Sequence, residues 1–369
     1  MPRARVGMNL LVLTDRPPAG TGHHAISLFE ALAAHDAVKS GEVGLTGFAV
    51  EAGARHFSAQ ARERLVLLPS ASKWDRVANE LARLPVMARK VGIDWLINPA
   101  FFGAPWGSAQ RVLIIHDLYF RSISDLVPWR RRILLRAIVP LLARRSDAIF
   151  TVSQTTKTEM TRFYPQLGAR ARVLHSGNRQ LHHGDECLVP PAIGRPYLLM
   201  VGHLTANKRP ETVIGALAVL RDSGRDLALV HIGDDGGRLG PLAQSAGIAA
   251  HVVALGPQPD SVLAAHYLHC AALMLPSIRE GFGLPLIEAQ TYGAPAIASS
   301  CEALMEVGGN SALYFPVDSV EDCAQAVRRV LDDAKMRAIL RERGRANAAR
   351  FSWDRTATQL LTELNLAGP

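Results

Sequence analysis

Ser277-Ile278-Arg279-Glu280-Gly281-Phe282-Gly283-Leu284-Pro285-Leu286-Ile287-Glu288-Ala289, running on through Tyr292-Gly293-Ala294-Pro295-Ala296-Ile297-Ala298-Ser299, reads as a strand end, a glycine-flanked loop, a helix and a second strand. Pro285 suits the first turn of the helix, because its fixed φ is already helical and its missing N–H is one that a helix start leaves unpaired anyway. Gly293 suits the other end, where a left-handed residue closes the last turn. The amides of Gly281, Phe282, Gly283 and Leu284 then converge on a helix N-terminus, whose partial positive charge favours a phosphate or an oxyanion. Glu280 falls in the loop and Glu288 in the first helical turn, so two carboxylates border one anion site. Taken alone, the same acids also read as a solvated loop acid and an acid stabilised by the helix dipole; the flanking glycines favour the site.

Outward from this stretch, strands at 197–201, 227–232, 272–275 and 295–299 alternate with helices that begin near Pro210, Pro259 and Pro285. The first half repeats the theme, with strands at 6–14, 43–50, 111–115, 148–152 and 173–174. Such alternation predicts parallel sheets covered by helices. The pattern lapses after Asn178 into polar, His-rich and Pro-Pro sequence, which divides the chain into a first domain over 1–180, a linker over 181–196 and a second domain over 197–350. The segment 351–369 holds an amphipathic helix, capped by Ser352 or Asp354, that is expected to pack back toward the first domain. The fold class is therefore α/β, with two facing Rossmann-like, doubly wound domains and a ligand cleft at the carboxyl ends of their strands.

Composition agrees with that division. A chain of 369 residues, 48% hydrophobic, is long enough for two ordinary cores. Cys187, Cys270, Cys301 and Cys323 are scattered, which argues against a zinc site or disulfide framework and for a reducing, cytoplasmic setting. The apolar run 7–13 leads into Asp15, Arg16 and two prolines without a small-residue cleavage pattern, so it reads as a buried strand, not a signal peptide. No stretch approaches the roughly 20 apolar residues of a membrane span. The net charge of +8 favours anionic partners. Nucleic acid is disfavoured among these, since the basic residues lack aromatic interleaving or a recognised module.

The paired glutamates in their glycine loop resemble the motif of retaining GT-B glycosyltransferases, specifically the group 4 family. The resemblance implies that Glu280 contacts donor-sugar hydroxyls, that Glu288 binds the nucleotide's ribose, and that the amides of Phe282, Gly283 and Leu284 hold the sugar and diphosphate. Val201-Gly202-His203-Leu204-Thr205-Ala206-Asn207-Lys208-Arg209-Pro210 is similar to the family's phosphate clamp, with Lys208 as its lysine. His203 and Asn207 stand where family members place an extra arginine, and Arg209 is the candidate substitute. Gly20-Thr21-Gly22-His23-His24 resembles the glycine loop near donor phosphates and acceptor, which makes Gly20 and Gly22 donor-binding candidates. His116-Asp117 resembles the pair whose histidine lies against the transferred sugar, so His116 and Glu280 are the catalytic candidates. A satisfied strand-end histidine is the plain alternative for His116. Thr151-Val152-Ser153-Gln154, Val173-Leu174-His175-Ser176-Gly177 and Ser352-Trp353-Asp354 extend the likeness, with Ser153 read as a helix cap.

The resemblance implies transfer of a hexose, with mannose slightly favoured, from an NDP-sugar to a glycan or lipid-linked acceptor, in which the leaving phosphate takes the acceptor's proton. Neither a cofactor nor a metal is expected, and no two aspartates in the sequence are separated by a single residue, as a metal-diphosphate clamp would require. The rivals are a non-catalytic nucleotide-sugar-binding protein and a sugar hydrolase or epimerase on the same scaffold. A glycosidase would use two carboxylates but has no need of a lysine aimed at diphosphate. The basic, apolar stretch from Trp129 to Arg145 reads either as a solvated helix face or as a peripheral contact with anionic lipid at the inner face of the plasma membrane.

Overall fold

The computed structural model describes residues 2–14, 18–70, 75, 78–179, 181 and 192–366. Most of the 181–196 segment, and Cys187 within it, lies outside the described residues, as do residues 367–369 of the C-terminal segment. The chain forms two compact units, one of residues 1–177 with 352–369 and one of residues 178–351.

Unit 1 is built on a parallel sheet of seven strands, β1 (Ala4–Asn9), β2 (Val43–Val50), β3 (Leu65–Leu68), β4 (Trp95–Asn98), β5 (Gln110–Ile115), β6 (Ala148–Thr151) and β7 (Ala171–Val173), in the order β3-β2-β1-β4-β5-β6-β7. Unit 2 repeats the plan with six, β8 (Tyr197–Val201), β9 (Ala228–Ile232), β10 (Val252–Ala254), β11 (Ala272–Leu275), β12 (Ala296–Ser299) and β13 (Leu313–Phe315), in the order β10-β9-β8-β11-β12-β13. In each sheet the order reverses beside the unit's first strand, and it is at the carboxyl ends there that open α/β sheets bind ligands. Interior strands such as β6 and β11 are buried at every residue, which explains their largely apolar sequence.

Differences from the sequence reading have local causes. The first strand ends at Asn9 and not at Thr14, because Asn9 turns its side chain back to accept from the Leu11 amide. β3, β4, β10 and β13 went unseen; each is three or four residues long, and β3 and β10 carry exposed positions that break an apolar run. Glu288 is the fifth residue of the helix Leu284–Thr291 and so lies beyond its first turn, where it is buried against the domain. Ser352, not Asp354, caps the helix Trp353–Glu363 by accepting from the Arg355 amide. That helix packs on the helix Gly20–Ala34, and Trp353 lies so close to Gly177 that a side chain there would meet the Trp353 backbone. Cys270, Cys301 and Cys323 are free and buried.

Candidate functional site

In unit 2 the loops after β8 and β11, neighbouring strands at the point where the order reverses, carry Lys208 and Glu280. Asn207 joins them: its side chain donates to the Arg279 carbonyl at 2.8 Å and accepts from the Arg279 amide at 3.1 Å, while its carbonyl accepts from the Ile278 amide. This residue, at a position expected to hold an arginine, is a buried brace between loops. Lys208 Nζ then donates to Glu280 Oε1 at 2.5 Å, and the buried Ser277 hydroxyl donates to the same oxygen at 2.7 Å. Only 9% of the Glu280 side chain and 23% of the Lys208 side chain remain exposed.

Gly283 explains how the loop reaches the helix. It has φ of +95°, a left-handed conformation that favours glycine, and a β-carbon there would stand 2.6 Å from Leu304. Leu284 opens the helix, Pro285 follows inside its first turn, and Phe282 is buried edge-on against Phe351. Arg209, left-handed itself at φ of +41°, is turned onto Asp318, its Nε at 2.8 Å from the carboxylate, so these two consecutive cations rest on different carboxylates, Lys208 on Glu280 and Arg209 on Asp318.

Glu288 belongs to a second cluster that sequence reading did not reveal. Its Oε2 accepts from the Tyr267 hydroxyl at 3.0 Å, and Arg179 Nε stands 3.4 Å from Oε1 while Arg179 Nη2 reaches Asp260 at 3.1 Å. Tyr267 is wholly buried and stacks on Tyr292. Burial pushes the Glu288 carboxyl up from its ordinary value, and the Arg179 charge and the Tyr267 hydroxyl oppose that rise.

In unit 1 Gly20 and Gly22 open the helix Gly20–Ala34; a β-carbon at Gly22 would press on Pro18 at 2.9 Å, whereas Gly20 faces open space. His116, just beyond β5, donates from Nε2 to the Pro99 carbonyl at 2.7 Å, and desolvation lowers its imidazole to about 4, so it is neutral at physiological pH. His24 from the glycine-loop helix stands edge-on to His116 with ring centres 4.6 Å apart, touches Trp353 in the same manner, and shares a 3.0 Å hydrogen bond with Ser176. Burial, and then His116, holds its imidazole well below the ordinary value. The structure thus gathers three sequence-distant likenesses, at His24, His116 and Trp353, into one cluster. Ser153 caps its helix by accepting from the Thr156 amide, and the Thr156 hydroxyl donates to the His116 carbonyl.

Among the described residues no group of three His, Cys, Asp or Glu could hold a metal ion, and no helix is long and apolar enough to cross a membrane. The helix Trp129–Arg144 exposes Trp129, Ile133, Leu134 and Leu141 between exposed Arg130, Arg131, Arg136 and Arg144.

Residues 18–177 match the family described as Glycosyltransferase Family 4, and residues 190–347 that described as Glycosyl transferases group 1. D-inositol 3-phosphate glycosyltransferase of Salinispora arenicola is 31% identical over 216 residues, 55% of this chain and 46% of that protein. The serotype-specific mannosyltransferase WbdA of Escherichia coli is 27% identical over 282 residues, 65% of this chain and 34% of that protein. The matches therefore span about half or less of these relatives' length. Among solved structures, Anabaena HepE in complex with UDP-glucose superposes with a TM-score of 0.73 at 16% identity, covering 98% of this chain and all of that one. The fold is that of the two-domain GT-B proteins.

Proposed function

The chain belongs to the group 1, family 4 glycosyltransferases, and from that premise we propose that it moves a hexose, mannose by preference, from a nucleoside diphosphate donor to a hydroxyl of a glycan or lipid-linked saccharide, with retention at the anomeric carbon. One observation carries this reading: Lys208 and Glu280 are paired at the switch point of the nucleotide-domain sheet, Glu280 in the loop that leads into the N-terminus of the helix Leu284–Thr291, where backbone amides favour an anion. WbdA's name supports mannose, and the HepE complex supports a nucleotide-sugar donor on this fold.

In the reaction the bond from the anomeric carbon to the β-phosphate oxygen breaks, the bond from that carbon to the acceptor oxygen forms on the same face, and the acceptor proton passes to the departing phosphate oxygen. Lys208 and the amides of Phe282, Gly283 and Leu284 neutralise the diphosphate as its charge grows, an interaction that strengthens where water is scarce. Glu280 is the hydroxyl acceptor for the donor sugar; its Oε1 is held by Lys208 and Ser277, which leaves Oε2 for that role. Glu288 is assigned the ribose, and His116, neutral and fixed by Pro99, the transferred sugar. Gly20 and Gly22 are assigned the donor phosphates. Arg209 has a smaller claim on the diphosphate, being already paired with Asp318.

A thermal-shift panel of GDP-, UDP- and dTDP-sugars tests the donor, because a ligand of the folded state alone raises stability in step with its affinity. No stabilisation by any of them would remove the reading. The exposed apolar and arginine residues of the helix Trp129–Arg144 support acceptor delivery at an anionic membrane surface. Salt-sensitive binding to phosphatidylglycerol vesicles, lost on Arg130→Glu with Arg131→Glu, is expected; equal binding to neutral vesicles would retire it.

A further inference from the structure

Glu288 lies deep in unit 2, with 7% of its side chain exposed, yet the role assigned to it is to accept hydrogen bonds from hydroxyls. A buried carboxyl accepts on both oxygens, as a vicinal diol requires, only while ionised, and burial alone opposes ionisation. The groups packed around it decide the matter. From the segment that follows unit 1, Arg179 stands on Oε1; from the helix Asp260–His269, the Tyr267 hydroxyl donates to Oε2. Asp260 on that helix repels the carboxylate, but it is itself paired with the Arg179 guanidinium, and Tyr292 closes the cluster by stacking on Tyr267. Arg179 is largely buried too, with 15% of its side chain exposed, so its charge acts through little water.

We propose that Arg179 and Tyr267 are positioning residues that keep Glu288 ionised and its carboxylate turned for the ribose hydroxyls of the donor nucleotide. A carboxylate offers about four lone-pair sites; the Tyr267 hydroxyl occupies one on Oε2 and Arg179 faces Oε1 as an ion pair at 3.4 Å, so each oxygen keeps accepting capacity for a vicinal diol. Arg179 further ties Glu288 to Asp260, so that the helices Asp260–His269 and Leu284–Thr291 present the carboxylate in one orientation. The inference rests on the assignment of Glu288 to the ribose.

The test is calorimetric titration of the whole chain with UDP and GDP, and with their 2′,3′-dideoxy forms, between about pH 7 and pH 9. That window lies above the phosphate ionisation near pH 6 and below that of an ordinary lysine near 10.4. The wild type should bind the better ribonucleotide almost independently of pH and the dideoxy form less tightly. Arg179→Met should weaken the ribonucleotide about tenfold at the lower pH, the equivalent of one pKa unit, recover part of that loss at the higher pH as Glu288 ionises, and leave the dideoxy form unaffected. Arg179→Lys should keep the flat profile, and Tyr267→Phe should show a smaller loss in the same direction, which serves if Arg179→Met does not fold. A wild type that binds ribo- and dideoxy forms equally, or binds neither nucleotide, overturns the ribose assignment and the inference with it. Discrimination in the wild type together with unchanged, pH-independent affinity in Arg179→Met and Tyr267→Phe overturns the inference alone.

Discussion

Replacing Lys208 by methionine keeps the length of the side chain and removes its charge, leaving the Glu280 carboxylate, 9% exposed, with only the Ser277 hydroxyl of its two side-chain donors. Breaking a fully buried ion pair in this way costs about 3–5 kcal/mol. The Lys208 side chain is 23% exposed, however, so water already screens the pair and about 2 kcal/mol is the better figure. For a unit of this size that is a fall of roughly 4–8 °C in the unfolding midpoint. The effect on turnover should be larger, about 10²–10³-fold, as expected for one lost donor to a developing oxyanion. Calorimetric unfolding and initial rates at saturating donor would separate the two. The informative partner is Lys208→Met combined with Glu280→Gln: with no unpaired charge left, the double variant should regain most of the lost stability while staying inactive. If Lys208→Met costs under about 0.5 kcal/mol, or if the double variant falls by the sum of the singles with turnover intact, the pair is neither an electrostatic unit nor the diphosphate clamp.

Gly283→Ala should lower unit 2 stability by about 1–3 kcal/mol in urea titration, because alanine at a φ of +95° is strained and its methyl group meets Leu304; an unchanged midpoint would mean the loop can relax. His116 titrates near 4 in the folded chain and near 6.5 when unfolded, so the unfolded state binds more protons between those values. Stability should therefore fall as pH drops from about 6.5 to 4, by up to about 3 kcal/mol from His116, with His24 adding in the same sense. The slope of unfolding free energy against pH should flatten in His116→Asn, and a slope that stays as steep would assign the effect elsewhere.

Much of the architecture was written in short-range pattern. The apolar runs at 148–150 and Ala272–Leu275, the prolines at helix starts and Gly293 at a helix end report local geometry, which neighbouring residues determine. Lys208 and Glu280 were legible for the same reason: each lies in a loop whose glycines and following helix mark it. What was hidden depends on strand order. That Lys208 meets Glu280 and Asn207 braces Arg279 follows from β8 lying beside β11, and no local signal carries that fact. Arg179 and Tyr267 were missed because neither belongs to a recognisable motif; their meaning comes from Glu288, placed one turn deeper in its helix than the sequence suggested. His24 sits inside the glycine loop Gly20–His24, yet its bond to Ser176 and its contact with Trp353 join segments far apart in the chain.

Because residues 352–366 complete unit 1 while 178–351 form unit 2, the second unit is an insertion within the first. During synthesis the ribosome must release all of unit 2 before Trp353 can reach His24 and Gly177. Unit 1 therefore waits, with the flank of its Gly20–Ala34 helix bare, until residues 353–366 have been made, whereas unit 2 is one uninterrupted stretch that can collapse as it emerges. A fragment ending at 177 should accordingly need a chaperone or a supplied 352–366 peptide, and a 178–351 fragment should not.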